Sequence, residues 1–172
     1  AAISNSGADG AAGSGGGILN DAGGNLTINS ATISGNTAVR AGGGIEDNSG
    51  AGTTFSLTNV SLDANATASS PGNGGGVHIT GPGDMMITGG VVSNNTASAE
   101  GGGLWNGSGT MTIVDVMITG NTASGASADQ GGGGVFNAGG TVDISGSTTI
   151  SNNNADGAAG SGGGILNDAG GN

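Results

Sequence analysis

The sequence contains no cysteine, no lysine and no tyrosine, and it has only one tryptophan, two phenylalanines and one arginine, Arg40. The lack of cysteine excludes disulfides and thiolate metal sites. With 12 acidic side chains and a formal net charge of −11, the chain cannot neutralise phosphates. We therefore expect it to bind neither nucleic acid nor anionic membranes. No apolar run is long enough to span a bilayer, so we also expect no membrane insertion by this segment.

Glycine is abundant, with 43 residues, and it is arranged in a repeat. Gly-Gly-Gly followed by an aliphatic residue occurs six times, at spacings of 27, 32, 27, 31 and 30 residues. A longer period is superimposed on this one, because residues 1–25 and 148–172 agree at 21 of 25 positions with an offset of 147. A flexible linker has no reason to keep such registers. The six aliphatic residues are Ile18, Ile45, Val77, Leu104, Val135 and Ile165.

Each repeat carries a second signature, in which an apolar-x-apolar pair is followed by an aliphatic residue and then, three positions later, by asparagine. The alternation of apolar and polar residues, interrupted by Gly and Asn, predicts short strands between tight turns. One repeat cannot bury its apolar face, whereas stacked copies can. We therefore predict an all-β fold, a right-handed parallel β-helix (β-solenoid) with about 27–32 residues per coil and five coils in each 147-residue long repeat.

The repeat positions predict a role for each residue type. We expect one inward row to form a core aliphatic ladder, and we expect the asparagines to stack at the strand ends as a structural ladder that bonds turn backbone groups. The core aliphatic ladder is Ile33, Leu62, Val92, Ile118 and Ile150, and the asparagine ladder is Asn36, Asn65, Asn95, Asn121 and Asn153. A second asparagine row, Asn20, Asn106, Asn137 and Asn167, is interrupted by Asp47 and Ile79.

The residue after each Gly-triplet aliphatic should point away from the core. This outward row consists of Leu19, Glu46, His78, Trp105, Phe136 and Leu166. Apolar side chains on so polar a surface suggest an interaction face formed by Leu19, Trp105, Phe136 and Leu166. The alternative is that loops fold over these side chains, or that the side chains merely fill an outer groove. We expect His78 to be an outward strand residue and Arg40 a solvated loop residue.

The two alternating signatures resemble the repeats of chlamydial polymorphic outer-membrane proteins, written GG(A/L/V/I) and FxxN. They occur here as "GGGI", "GGGV" and "GGGL", and as "ISGN", "LDAN", "VSNN", "ITGN" and "ISNN", with an aliphatic residue always in place of Phe. The resemblance covers all five coils. It implies an extracellular or cell-surface β-helix that serves as an adhesive or structural stalk.

The acidic residues do not form a pattern that indicates catalysis. Asp9, Asp21, Asp63, Asp115 and Asp143 occupy different repeat positions, so no carboxylate row aligns across coils, and we expect no enzyme activity. No cofactor is predicted. Weak calcium binding by an isolated loop aspartate, Asp129 or Asp156, is left open.

We interpret residues 1–172 as a single continuous β-solenoid segment, expected to be part of a longer tandem-repeat chain. Its predicted function is structural, as a fibre, stalk or adhesin shaft; the alternative is a carbohydrate-binding or carbohydrate-processing β-helix. The expected partners are further copies of the chain, joined end to end or laterally, and a surface receptor or polysaccharide.

Overall fold

A computed structural model describes residues 1–68, 71–168 and 170–172, and the strands in it follow the alternation of apolar and polar residues. The described residues contain the following strands: β1 (Ala2–Ser4), β2 (Gly7–Ala8), β3 (Ile18–Asp21), β4 (Leu26–Asn29), β5 (Thr32–Ser34), β6 (Thr37–Ala38), β7 (Ile45–Asn48), β8 (Phe55–Asp63), β9 (Ala66–Thr67), β10 (Val77–Ile79), β11 (Met85–Ser93), β12 (Thr96–Ala97), β13 (Leu104–Asn106), β14 (Thr110–Val114), β15 (Met117–Thr119), β16 (Thr122–Ala123), β17 (Val135–Ala138), β18 (Thr141–Ser145), β19 (Thr149–Ser151), β20 (Asn154–Ala155) and β21 (Ile165–Asp168). None of the described residues is helical.

The strands stack into three parallel sheets that run along one axis. The long sheet contains the apolar-x-apolar pairs and the core aliphatic ladder and consists of β1, β4, β5, β8, β11, β14, β15, β18 and β19. The short sheet follows the asparagine ladder and consists of β2, β6, β9, β12, β16 and β20. The triplet sheet follows the Gly triplets and consists of β3, β7, β10, β13, β17 and β21. The predicted parallel β-solenoid is thereby confirmed, with about six turns.

Equivalent residues of successive coils pair in register, as the repeat spacing requires. Leu62 pairs with Ile33 on one side and with Val92 on the other, and Val92 pairs with Ile118. The side chains of Ile33, Leu62, Val92 and Ile118 are fully buried, and Ile150 in the last coil packs against them. Stacking like on like therefore fills the core without large aromatic side chains.

Two of the turns in each coil are made at residues that adopt a left-handed backbone conformation. One lies directly before the ladder asparagine, as at Ala64 (φ 53°) and Asn94 (φ 54°), and the other bends the long sheet, as at Asn59 (φ 51°) and Asp115 (φ 56°). Asn, Asp and Gly tolerate this region best, which explains why they recur at these turns.

Candidate functional site

The asparagine ladder is continuous through the solenoid. At each step the Oδ1 of one asparagine accepts two hydrogen bonds from the asparagine of the preceding coil; for example, Asn95 Oδ1 accepts from Asn65 N and Nδ2, both at 2.9 Å. The Asn65 Nδ2 also donates to the Ile33 carbonyl at 2.9 Å. The side chains of Asn36, Asn65, Asn95 and Asn121 are fully buried, and Asn153 is half-buried. Every polar atom of a central ladder amide is thus satisfied without water.

The Gly triplets fit against this ladder, and the triplet at Gly42, Gly43 and Gly44 shows why all three positions are glycine. Gly42 has a φ of 62°, in the left-handed region. A Cβ on Gly43 would lie 2.5 Å from the carbonyl oxygens of Ala66 and Gly75. A Cβ on Gly44 would lie 2.6 Å from the Gly76 oxygen and 3.1 Å from Asn65 Cγ. The two signatures of the repeat therefore pack against each other.

The second asparagine row forms two separate pieces. Asn106 Nδ2 donates to Asn137 Oδ1 at 2.8 Å, and Asn137 Nδ2 donates to Asn167 Oδ1 at 2.7 Å. In the first coils, Asn20 Nδ2 donates to Asp47 Oδ1 at 2.6 Å. An aspartate cannot donate onward, and the next position is the buried Ile79. As a result, Asn106 Oδ1 is buried without a hydrogen-bond partner in the described structure.

The outward row is mostly covered, which corrects the expectation of an exposed interaction face. Phe136 is only 3% exposed, and His78 and Glu46 are also buried. Trp105 and Leu166 are half-buried, and Leu19 alone is largely exposed, at 53%. The preceding loops lie over the row, as when Trp105 Nε1 donates to Glu100 Oε2 at 3.0 Å. The alternative that loops fold over these side chains therefore holds for the central coils.

The aromatic members of the row form one stack. The His78 and Trp105 rings lie 4.2 Å apart at 21°, and the Trp105 and Phe136 rings lie 5.9 Å apart at 6°. Both faces of the indole are therefore occupied by neighbouring rings. A sugar ring binds an aromatic residue by stacking on a free face, and Trp105 does not offer one.

A buried ionic network lies at the other end of the stack. Glu46 Oε2 is 2.9 Å from His78 Nδ1, and Glu46 Oε1 is 3.2 Å from Arg40 Nη2 and accepts a hydrogen bond from Thr80 Oγ1. His78 lies in strand β10 in the outward row, as expected, but its side chain is buried. Arg40 is an ion-pair partner whose side chain is only partly exposed. Sequence reasoning missed this network because it joins side chains of two adjacent coils. Glu46 and His78 in one outward row were the signal.

Burial perturbs two carboxyl groups near these rows. Desolvation raises the pKa of Asp47, although hydrogen bonds from Asn20 and Ser49 lower it in part. Desolvation likewise raises the pKa of Glu100, whose hydrogen bond from Trp105 opposes the rise. The hydrogen bonds that lower these two pKa values come from neutral donors: Asn20 and Ser49 for Asp47, and Trp105 for Glu100.

The outer face of the long sheet carries an open cleft of about 460 Å³. Its walls include Thr54, Ser56, Asp84, Met86 and Thr112, and the Asp84 carboxylate accepts a hydrogen bond from the Thr110 backbone at 2.7 Å. Met86 is half exposed there. The cleft thus combines hydroxyl groups, one carboxylate and an apolar floor.

Two loop aspartates were the sequence's candidates for weak calcium binding. Asp129 and Asp156 are exposed, and Asp156 accepts a hydrogen bond from Ser124 Oγ at 2.7 Å. Within residues 1–68, 71–168 and 170–172, no three His, Cys, Asp or Glu side chains are grouped to hold a metal ion. The same residues include no helix that is long and apolar enough to cross a membrane.

No protein-family model matches the chain, and neither does a curated protein or a solved structure. The resemblance to the chlamydial repeats therefore rests on the two motifs and their alternation.

Proposed function

We propose that this chain is a structural β-solenoid of the cell surface or extracellular space, a fibre, stalk or adhesin shaft without enzyme activity. The observation that carries the proposal is the unbroken asparagine ladder from Asn36 to Asn153, which links every coil to the next in the interior. Such a ladder resists separation of coils along the axis, because pulling two coils apart breaks amide bonds and all three sheets together.

The repeat lengths also support a shaft. Residues 148–172 are nearly the same as residues 1–25, so copies of residues 26–172 can be joined in one chain with the coil register preserved. Each added 147-residue unit contributes five coils, or about 24 Å at the strand spacing of about 4.8 Å. The proposed partners are other β-solenoids or a surface receptor.

The experiment is to express chains with one, two and four such units and to measure their length by electron microscopy. A shaft lengthens by about 24 Å per unit at constant width. Chains that collapse into particles of growing width contradict the proposal. As a second arm, an Asn95→Asp substitution in one unit should produce a weak point in single-molecule pulling, whereas Asn59→Asp at an exposed turn should not.

The second candidate function is carbohydrate binding, and the observation that favours it is the cleft on the long sheet. Its threonine and serine hydroxyls and the Asp84 carboxylate are groups that hydrogen-bond sugars, and Met86 offers an apolar surface. The test is a screen of polysaccharides with wild-type protein and with Asp84→Ala. Polysaccharide binding that Asp84→Ala abolishes supports this candidate. If no polysaccharide binds the wild-type protein, only the shaft proposal remains.

A further inference from the structure

The third coil of the solenoid contains β8, β9 and β10, the fourth contains β11, β12 and β13, and the contact between them, the coil 3–4 junction, is uneven. In the long sheet, β8 and β11 pair at eight positions. In the triplet sheet, β10 and β13 pair at two positions, whereas the other neighbours in that sheet pair at three or four. In the short sheet, β9 and β12 pair at one position and the other neighbours at two. The junction is therefore well paired on one face and least paired on the other two.

An exception to the repeat explains the weak pairing in the short sheet. Thr67 is the one residue that is not alanine in the inward row of this sheet, where it is 4% exposed. Its Oγ1 is buried without a hydrogen-bond partner in the described structure. The added bulk and the unpaired hydroxyl both oppose close approach of the next coil. The row is Ala8, Ala38, Thr67, Ala97, Ala123 and Ala155.

A second exception lies in the triplet sheet at the same junction. Ile79 stands in the second asparagine row beside Asn106 and has no amide to donate, so Asn106 Oδ1 is buried without a partner among the described residues. The row still links the fourth coil to the fifth, where Asn106 Nδ2 donates to Asn137 Oδ1 at 2.8 Å. Side-chain amide bonds of this row therefore do not cross the coil 3–4 junction.

Side chains on the triplet face take over part of the contact. The His78 ring of the third coil stacks on the Trp105 ring of the fourth at 4.2 Å, and Asn73 Nδ2 donates to Glu100 Oε2 at 3.2 Å. The same carboxylate oxygen accepts from Trp105 Nε1 at 3.0 Å, which fixes the indole. Backbone bonds of the Gly triplets cross this junction as they cross the others. The ring stack is therefore the feature that closes this junction in particular.

We propose that the solenoid opens locally at the coil 3–4 junction, with the long sheet as the hinge and the stack of His78 on Trp105 as the latch. Proteins open first where buried contacts and hydrogen bonds are fewest, at a lower cost than global unfolding. The long sheet and the ladder bonds from Asn65 to Asn95 Oδ1, which lie at its end, keep the two halves joined. The triplet and short sheets part on the opposite side.

Opening of this kind gives the coils a defined bending point. In a tandem array, the point would recur once in each 147-residue unit, so a shaft would flex at regular intervals. Only this consequence rests on the proposed function, because the opening itself is a property of two neighbouring coils.

The experiment uses the 172-residue chain, which has no cysteine, so one introduced thiol reports on one position. Ala97→Cys places a thiol in the inward row of the short sheet at the junction. Ala38→Cys and Ala123→Cys are matched controls at the same repeat position in the second and fifth coils. All three alanines are at most 2% exposed. In native buffer, an aromatic disulfide reagent should label Ala97→Cys about 10-fold or more faster than either control, after correction for the labelling rate of each unfolded chain.

Thr67→Ala should restore the alanine row and close the junction. In the Ala97→Cys background, this substitution should slow labelling toward the rate of the controls. A readout without cysteine is available as well, because Trp105 is the only tryptophan of the chain. Acrylamide quenching of its fluorescence in native buffer should fall in Thr67→Ala.

Two substitutions of His78 separate the ring stack from the ionic contact with Glu46. His78→Phe keeps a ring on Trp105, whereas His78→Leu does not, and both lose the contact with the Glu46 carboxylate. His78→Leu should speed the labelling of Ala97→Cys by about 2- to 10-fold relative to His78→Phe, as expected for loss of one aromatic stack.

Three results would overturn the proposal. These are equal labelling rates at the three cysteine positions, no effect of Thr67→Ala on either labelling or quenching, and equal rates in His78→Leu and His78→Phe. The length of tandem chains in electron microscopy does not depend on any of these rates, so a rigid junction would leave the shaft proposal standing.

Discussion

Asn65 gives both its backbone N–H and its side-chain Nδ2 to a single atom, Asn95 Oδ1, at 2.9 Å each. The same relationship recurs between Asn95 and Asn121, at 3.0 and 2.9 Å. An asparagine in this ladder therefore serves its own turn, the coil before it and the coil after it. A side chain that lacks either the donor or the acceptor cannot fill this role.

Asn95→Asp should be strongly destabilising although the two side chains have the same shape. Asn95 Nδ2 donates to the Leu62 carbonyl and to Asn121 Oδ1, both at 2.9 Å, and a carboxylate would face these two buried acceptors without a proton to give. We expect a loss of about 3 kcal/mol or more in urea unfolding. Asn59→Asp, at an exposed turn, is the control and should change stability by less than about 0.5 kcal/mol. Equal midpoints for the two variants would show that the ladder contributes little.

Gly44→Ala should test the packing of the Gly triplet against the ladder. The added Cβ would lie 2.6 Å from the Gly76 oxygen and 3.1 Å from Asn65 Cγ, so the coils must move apart. We expect a cost of about 2 kcal/mol. Both this variant and a control, Gly10→Ala, are measured by thermal unfolding. At Gly10 a Cβ meets nothing within 4 Å, so Gly10→Ala should be close to neutral. A neutral Gly44→Ala would contradict the close contact.

The break in the second asparagine row should be repairable. Ile79→Asn alone exchanges a buried aliphatic group for an amide whose Oδ1 faces Asp47, and we expect it to be destabilising by about 2 kcal/mol. Combined with Asp47→Asn, it can connect Asn20 to Asn106 through one continuous row, and it gives Asn106 Oδ1 a donor. A double-mutant cycle should therefore show a favourable coupling of about 1–2 kcal/mol. If the effects of the two substitutions on stability are additive, the second asparagine row does not become continuous.

Phe136→Ser should destabilise the protein rather than merely remove a surface contact. The ring is 3% exposed and stacks on Trp105. We expect a loss of about 3 kcal/mol, measured by urea unfolding. Leu19→Ser at the exposed end of the same row should cost less than about 0.5 kcal/mol. If Phe136→Ser is as mild as Leu19→Ser, the row is a surface feature after all.

Stability should rise as the pH falls from about 7 toward about 4, to the extent that Asp47 and Glu100 contribute. Burial raises the pKa of both groups above their ordinary values of 3.8 and 4.5. The contribution of a raised carboxyl group is fully present below its unfolded pKa and is lost as the pH rises through its folded pKa. Asp47→Asn and Glu100→Gln should therefore each flatten the pH dependence of the urea midpoint. A slope unchanged in both variants would contradict the assigned cause.

The repeat pattern of the amino acids is enough to predict the solenoid, its coil length and its ladders. Stacked coils place residues of equal repeat position next to one another, so a spacing such as that from Leu62 to Asn65, preserved in every coil, translates directly into a row in space. For the same reason, the amino-acid sequence alone located the break in the second asparagine row at Ile79.

The repeat pattern does not predict which outward side chains are covered; the three-dimensional packing shows it. Alternation shows that Phe136 and Leu19 both point away from the core, but their exposure depends on the loops, whose lengths vary from coil to coil. Glu46 is fully buried beside His78, and the Asn73 amide nitrogen donates to the Glu100 carboxylate. Glu46 and His78 hold the same repeat position, as do Asn73 and Glu100, so periodicity predicts that they are neighbours but not that they are buried or hydrogen-bonded.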